Sequence, residues 1–411
     1  MPIILYTMAI KIERKQYLDT LFRLKDVNLI KILTGIRRCG KSTVMEMFID
    51  RIIESGVPPE KILYMRFDHP DFDWVEDHET LSKEVKKSLE LKEGSYIFLD
   101  EIQYVDRWEK AVASMYTAGV NVFITGSNSR LMSSEFATHI GGRYVEIKMY
   151  PLSFREYVKF GRDRTGDLNK ALDNYKRYGG FPIIALNEED NKADYPMFLS
   201  GIYDTIFLKD VIERNDIRDV TTIKNISKFM LKNIGNQTSV RSISNYIVSK
   251  GGKTHPATVD TYIHHLESAF MFYRGSKYDV KTKEYLKTSD KYYVADLGIR
   301  NNVVGYEDKD RSGTLENLVF MELLARGKEV AVGQIDGKEI DFIVIEDECR
   351  HYYQVTDNLY DEDVKKREIR SLLLTGDNYP KTIITKEQYP EKNIDGIRVI
   401  NIIDFLLEEY D

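Results

Sequence analysis

In the first third of the chain, short apolar runs alternate with stretches of helical period. Leu29–Leu33, Ile62–Phe67, Tyr96–Leu99, Val120–Thr125 and Tyr144–Met149 each read as a strand. The segments between them read as helices, beginning with Val44-Met45-Glu46-Met47-Phe48-Ile49. This alternation predicts a parallel α/β sheet with right-handed crossovers and a ligand at the C-terminal strand ends. Residues 1–152 are assigned to that core.

Beyond it the pattern changes. Residues 153–219 are helical, rich in aromatic and charged positions, and read as a lid. They include Tyr178-Gly179-Gly180-Phe181-Pro182, a loop expected to abut a ligand or cap the sheet. Residues 220–300 suggest a winged helix. Its helices would be Ile223–Asn233, Ser239–Ser249 and His255–Phe270, the last placing Val259, Ile263, Leu266 and Phe270 on one face. Met271–Arg274 and Lys291–Val294 would pair as the wing. Residues 301–411 return to α/β: a helix over Thr314–Leu324, strands Lys338–Ile345 and His351–Thr356, helix Asp361–Leu374 and strand Lys381–Thr385.

The chain has 411 residues, 42% hydrophobic and 30% charged, as expected for two or three soluble domains. No apolar run approaches membrane-span length, so no membrane partner is expected. The opening segment lacks a basic n-region and is not read as a signal peptide; Met8 is an alternative start. With only two cysteines, Cys39 and Cys349, a disulfide framework is excluded and the cytoplasm is the expected compartment. The net charge of −7 means that any nucleic-acid contact must come from a local patch.

The chemistry concentrates at two places. Gly35-Ile36-Arg37-Arg38-Cys39-Gly40-Lys41-Ser42-Thr43 follows a strand and opens a helix, as a phosphate-binding loop must. Gly35, Arg38, Cys39, Gly40, Lys41, Ser42 and Thr43 form the expected ATP-binding set. Backbone N–H groups would wrap the β-phosphate, Lys41 would reach the β/γ-phosphates, and the Ser42 hydroxyl would ligand Mg²⁺. Arg37 and Arg38 are expected to point away from the phosphates. Asp100-Glu101 ends a later strand; Asp100 would hold Mg²⁺ and Glu101 would orient or deprotonate the attacking water. One strand further on, Gly126-Ser127-Asn128 offers Asn128, with Ser127 beside it, as a γ-phosphate sensor; a plain turn is the alternative.

In the winged-helix region, Thr258, Thr261, His264 and His265 face outward from the third helix, beside Arg274, Lys277, Lys281, Lys283 and Lys287. Hydroxyls next to cations suit DNA backbone and groove contact; the alternative is packing against protein. The C-terminal region has the layout of a restriction-endonuclease-like core, with Glu316 on the helix, Asp341 on the strand and Gln354 and Thr356 on the next. An active version needs a carboxylate and a lysine at those last two positions to hold Mg²⁺ and activate water. Glu316, Asp341 and Gln354 are therefore a vestigial nuclease site, with Lys365 or Lys366 as a displaced substitute for the lysine.

With these motifs in place, the chain resembles a bacterial and archaeal family of AAA+-type, signal-transduction-like P-loop ATPases with a C-terminal domain of unknown function. The resemblance rests on the loop, Phe98-Leu99-Asp100-Glu101-Ile102-Gln103, Trp108, Ile124-Thr125-Gly126-Ser127-Asn128-Ser129, Gly142-Arg143, Pro151-Leu152-Ser153-Phe154-Arg155-Glu156, Tyr178–Pro182 and Leu208-Lys209-Asp210. It implies an AAA+ parallel sheet with helical lid, a winged helix, and a degenerate restriction-endonuclease-like domain. It also implies ATP hydrolysis with Mg²⁺. Arg143 is the candidate arginine finger, within a subunit or across a homo-oligomer interface, and Arg130 is its rival. The leading expectation is an ATPase coupled to DNA binding or remodelling. The alternatives are an ATP-driven switch acting on protein partners and an ATP-dependent nuclease.

Overall fold

The computed structural model describes residues 12–132, 140–161, 166–187, 189–286, 289–307, 312–347 and 349–409. The chain forms two compact units. One holds the residues up to Tyr150 together with Ser268–Phe270, and the other holds the rest.

The first unit is built on strands β1 (Ile30–Gly35), β2 (Ile62–Arg66), β3 (Tyr96–Asp100), β4 (Asn121–Gly126) and β5 (Tyr144–Met149). They form one sheet in the order β2-β3-β4-β1-β5, every pair parallel. Alternation along the strands sorts the core. Ile30, Ile32, Ile97, Leu99, Val122 and Ile124 join the buried cluster with Leu81 and Val85 of helix His78–Ser88 and Ala111, Val112 and Met115 of helix Trp108–Thr117. Residues of the other parity stack aromatics: Phe98 and Phe123 lie 4.8 Å apart, and Phe48 of helix Lys41–Glu54 lies 5.2 Å from Phe123. Lys31 shares this fully buried face because its ammonium lies over the Phe123 ring, 4.9 Å from the centroid, and donates to the Val27 and Lys25 carbonyls. Burial pushes that ammonium down to about 8.

In the second unit, the run Pro151–Glu156 is an N-terminal helix signal. Ser153 Oγ accepts from the Glu156 N–H and Glu156 Oε2 accepts from the Ser153 N–H, a capping box for helix Phe154–Phe160. The Tyr178–Pro182 loop has a structural use. The Gly180 N–H donates to Asp296 Oδ2 at 2.6 Å, and Asp296 also caps helix Leu297–Val304. Three backbone donors do not offset the burial of Asp296, whose carboxyl is raised to about 6.

Helices Val220–Lys232, Val240–Ser249 and Pro256–Ser268 follow, with the short strand β6 (Gln237–Thr238) between the first two. Strand β7 (Phe272–Gly275) pairs antiparallel with β10 (Asp290–Val294), matching Tyr273 with Tyr293, and β6 completes a three-stranded sheet. The connection between β7 and β10 is not a free wing tip. It contributes β8 (Lys277–Asp279) and β9 (Glu284–Tyr285) to the edge of an eight-stranded sheet. Strands β11 (Val330–Ile335), β12 (Lys338–Glu346), β13 (Cys349–Thr356), β14 (Lys381–Thr385), β15 (Asn393–Ile394) and β16 (Ile397–Asn401) supply the rest, in the order β15-β16-β14-β13-β12-β11-β8-β9. Its core includes Ile340, Ile343, Tyr352, Ile383, Ile397 and Leu372 of helix Glu362–Leu373.

Candidate active site

Strand β1 delivers the chain into the loop at its C-terminal end. A Cβ at Gly35 would stand 2.1 Å from the Met149 carbonyl oxygen, so only glycine lets the loop leave the sheet here. Gly40, at φ 105°, turns the chain into helix Lys41–Glu54, and no side chain caps that helix. Amides of a first helical turn have no partners within their helix, which suits an anion. Buried Arg14 braces the loop from behind, donating to the Cys39 carbonyl at 3.2 Å and the Tyr150 carbonyl at 2.7 Å. Cys39 is fully buried beneath the loop, and burial raises its thiol.

Lys41 folds back over the loop. Its Nζ donates to the Gly35 carbonyl at 3.0 Å and lies 3.4 Å from Glu101 Oε1. Burial pushes the Glu101 carboxyl up, but the charges of Lys41 and Arg37 and hydrogen bonds from Gln103 and Ser127 outweigh it and hold the group below the usual range. Arg37 adds its charge to that balance, and its guanidinium donates to the Tyr104 hydroxyl at 3.0 Å. Arg38 is exposed, with a left-handed backbone at φ 70°.

Asp100 ends β3 fully buried. Burial and then the charge of Glu101 raise its carboxyl, against hydrogen bonds from Thr125, Ser42 and Tyr64. Tyr64 on β2 donates to Asp100 Oδ2 at 2.9 Å. Thr125 Oγ1 donates to Asp100 Oδ1 and accepts the Glu101 N–H at 2.9 Å, so one hydroxyl spans both acids. A buried carboxylate beside the Ser42 hydroxyl is the hard-oxygen donor set that Mg²⁺ takes, and the residues fit that ion. Ser127 and Asn128 are buried just past the end of β4.

Arg14, Tyr64, Thr125 and Gln103 were missed from sequence. Thr125 and Gln103 fall inside runs that carry the family resemblance, which was the available signal. Arg143 is a correction as a finger for its own chain. It immediately precedes β5, where its carbonyl accepts the Ile30 N–H, so it lies at the strand start. The loop lies at the other end, roughly 17 Å away along β1. Its guanidinium sits over the Tyr116 ring. Arg130 falls in the short helix Ser129–Met132, and its side chain lies outside the described residues.

The expected DNA-facing cations are mostly engaged within the chain. Arg274 is held by both oxygens of Glu267 at 2.9 and 2.8 Å and lies 3.5 Å from Asp290. Lys277 is buried in β8, and Lys281 pairs with Asp336 at 2.6 Å. Lys283, Thr258, Thr261 and His264 are exposed, whereas His265 is half-buried. Lys287 lies outside the described residues.

Glu316, Asp341 and Gln354 do come together. Asp341 Oδ2 accepts from the Val355 N–H at 2.8 Å, and Gln354 Oε1 accepts the Asp341 N–H at 3.3 Å. The cation among them is Lys291, from β10, which lies 2.9 Å from Glu316 Oε2 and 2.6 Å from Glu339 Oε1. Lys365 instead donates to the Tyr389 hydroxyl, and Lys366 is exposed. Among the described residues, no group of three His, Cys, Asp or Glu is arranged to hold a metal. Also among them, no helix is long and apolar enough to cross a membrane.

The AAA domain family matches residues 27–158, and a domain of unknown function (DUF8612) matches residues 169–310. An uncharacterized protein of Haemophilus influenzae is 37% identical over 401 residues, covering 97% of this chain and 99% of its own length. An uncharacterized protein of Methanocaldococcus jannaschii is 30% identical over 357 residues, covering 84% of this chain and 78% of its own. Among solved structures, a Walker-type ATPase of Pyrococcus abyssi matches with a TM-score of 0.51 at 15% identity, over 71% of this chain and 95% of that one. That likeness is one of fold.

Proposed function

We propose that this chain, which belongs to one family with its Haemophilus influenzae and Methanocaldococcus jannaschii relatives and carries an AAA-type P-loop fold, hydrolyses ATP to ADP and phosphate. The observation that carries this reading is the Lys41–Glu101 pair beside Asp100 at the mouth of the loop. Loop amides take the β-phosphate, and Lys41 exchanges Glu101 for a γ-phosphate oxygen. Glu101, ionised and released, accepts the proton of the water that attacks the γ-phosphorus, while the bond to the β-bridging oxygen breaks. Asn128 and Ser127 contact the γ-phosphate. Ser42 and Asp100 would hold Mg²⁺, which when bound would supply Lewis-acid compensation of the phosphate charge. If Arg143 acts as the finger, it does so from a neighbouring copy, and hydrolysis then depends on homo-oligomer formation.

The output is a conformational switch read by a protein partner. The pairing of Arg274 and Lys281 with acids and the burial of Lys277 support this over DNA coupling. DNA coupling is the second reading, carried by exposed Thr258, Thr261 and Lys283. The C-terminal carboxylates serve as scaffold, without nuclease chemistry. Steady-state ATP hydrolysis, with and without single-stranded, duplex and four-way-junction DNA at low and moderate salt, tests these readings. The expected result is Mg²⁺-dependent turnover that is flat across DNAs. Stimulation by one DNA form, lost at higher salt, would replace the protein switch with DNA coupling.

A further inference from the structure

We propose that Gln103 is the positioning residue of the hydrolytic site, tying the Glu101 carboxylate to Ser127 at the end of β4. The inference rests on the reading of Glu101 as the base. Glu101 has a left-handed backbone, φ 54°, and the chain turns at once into the short helix Ile102–Tyr104. That reversal brings Gln103 back onto the side chain two residues before it. Gln103 Nε2 donates to Glu101 Oε2 and, at 3.4 Å, to Ser127 Oγ. Both amide hydrogens are thereby used to join the base to the strand end.

The other end of the amide shows that the placement is specific. Gln103 Oε1 is buried with no hydrogen-bond partner among the described residues. It lies against Gly126, where a Cβ would stand 2.6 Å from Oε1 and 2.0 Å from Leu131 Cδ1. Glycine at 126 thus makes room for an amide whose acceptor gains nothing there, so the use of the residue lies in its donor end. This matters most once phosphate is bound. Lys41 then leaves Glu101, and Gln103 and Ser127 remain to aim the carboxylate. Ser127 adjoins Asn128, so the aim of the base follows the strand end that meets the γ-phosphate.

The test is single-turnover hydrolysis of labelled ATP by the full chain, with nucleotide affinity read separately from a fluorescent ATP analogue. Gln103→Ala should lower the hydrolysis rate about tenfold with affinity unchanged. Gln103→Glu sets a second carboxylate beside Glu101, which repels it from its aim, and should lower the rate at least as far with affinity again unchanged. Wild-type rates in both variants would overturn the inference. So would losses matched by equal falls in affinity and melting temperature, which mark scaffold. Wild type and Glu101→Gln are run alongside. No turnover in wild type, or turnover retained in Glu101→Gln, removes the hydrolytic reading and this inference with it. Turnover lost in Glu101→Gln but indifferent to Gln103 removes only this inference.

Discussion

Lys41 Nζ lies 3.4 Å from Glu101 Oε1, with both side chains almost wholly buried. The phosphate-binding cation and the base are thus held on each other, and an incoming γ-phosphate has to part them. The two substitutions should fail differently. Lys41→Ala should lose nucleotide binding, because the loop loses the ammonium that reaches the phosphates and Glu101 loses its ion-pair partner. Glu101→Gln keeps the shape and removes the base. It should bind ATP as wild type does, or more tightly, while turnover falls at least a hundredfold. Equilibrium nucleotide binding and hydrolysis measured on the same preparations separate the two.

Thr125→Val should be more harmful than its small change of shape suggests. The hydroxyl accepts the Glu101 N–H and donates to Asp100. Removing it leaves a buried amide unpaired and strips one donor from a carboxylate that burial already raises. The expected cost is about 1–3 kcal/mol of stability. A higher Mg²⁺ concentration should also be needed for half-maximal hydrolysis. Tyr64→Phe, which removes one hydrogen bond to Asp100 without orphaning an amide, should show the Mg²⁺ effect with a smaller melting shift. Thermal melts and Mg²⁺ titrations of hydrolysis decide both.

Why some of this was legible in the sequence and some was not follows from the range of each interaction. The loop, the acidic pair and the five parallel strands are local patterns: a glycine spacing, an apolar run ending in carboxylates, a change of period. Tyr64, Thr125 and Arg14 reach the site from other segments, and only the packing of β2 and β4 beside β3, and of the N-terminal residues beneath the loop, brings them there. The β7–β10 pairing was readable from two matched apolar runs. The engagement of the cations was not, because Glu267 and Asp290 reach Arg274 from the preceding helix and from β10, and Asp336 meets Lys281 only once the connection joins the larger sheet. Lys291 was read as a wing residue for the same reason.

Lys291 is expected to be a keystone of the C-terminal unit. Burial disfavours its charge, but Glu316, Asp341 and Glu339 outweigh that and raise its pKa. Lys291→Met would leave those carboxylates facing each other without a cation, at a cost of about 3–5 kcal/mol. Adding Glu316→Gln should recover part of the loss, since the second change removes one of the stranded charges. Denaturant unfolding of the two single variants and the double variant gives the coupling directly. A double variant as unstable as the sum of the singles would count against the pairing.

His351 should make the C-terminal unit acid-sensitive in a defined window. Its Nε2 lies 2.8 Å from Thr382 Oγ1, its Nδ1 lies 3.0 Å from the Tyr353 hydroxyl, and its ring stacks on Tyr353. Burial pushes its pKa from 6.5 down to about 4, helped by Arg398 and Lys328 and opposed by Glu346. The folded chain therefore stays neutral at this position where the unfolded chain takes a proton. Between pH 6.5 and 4 the unfolded state binds more protons, so stability rises with pH through that window and is lost as pH falls through it. Above pH 6.5 the contribution is complete; across the window it amounts to about 3 kcal/mol. Asp296, raised to about 6, works in the opposite sense, because its unfolded carboxyl ionises first as pH rises from about 4. Wild-type acid unfolding thus sums these two with the other shifted carboxyls, Asp100 and Glu101 among them, and does not isolate His351. His351→Gln keeps a polar side chain of similar reach but does not titrate. The stability gap between wild type and variant, followed by unfolding at several pH values, should narrow steadily from pH 7 to 4. A gap independent of pH would show that His351 does not titrate with folding.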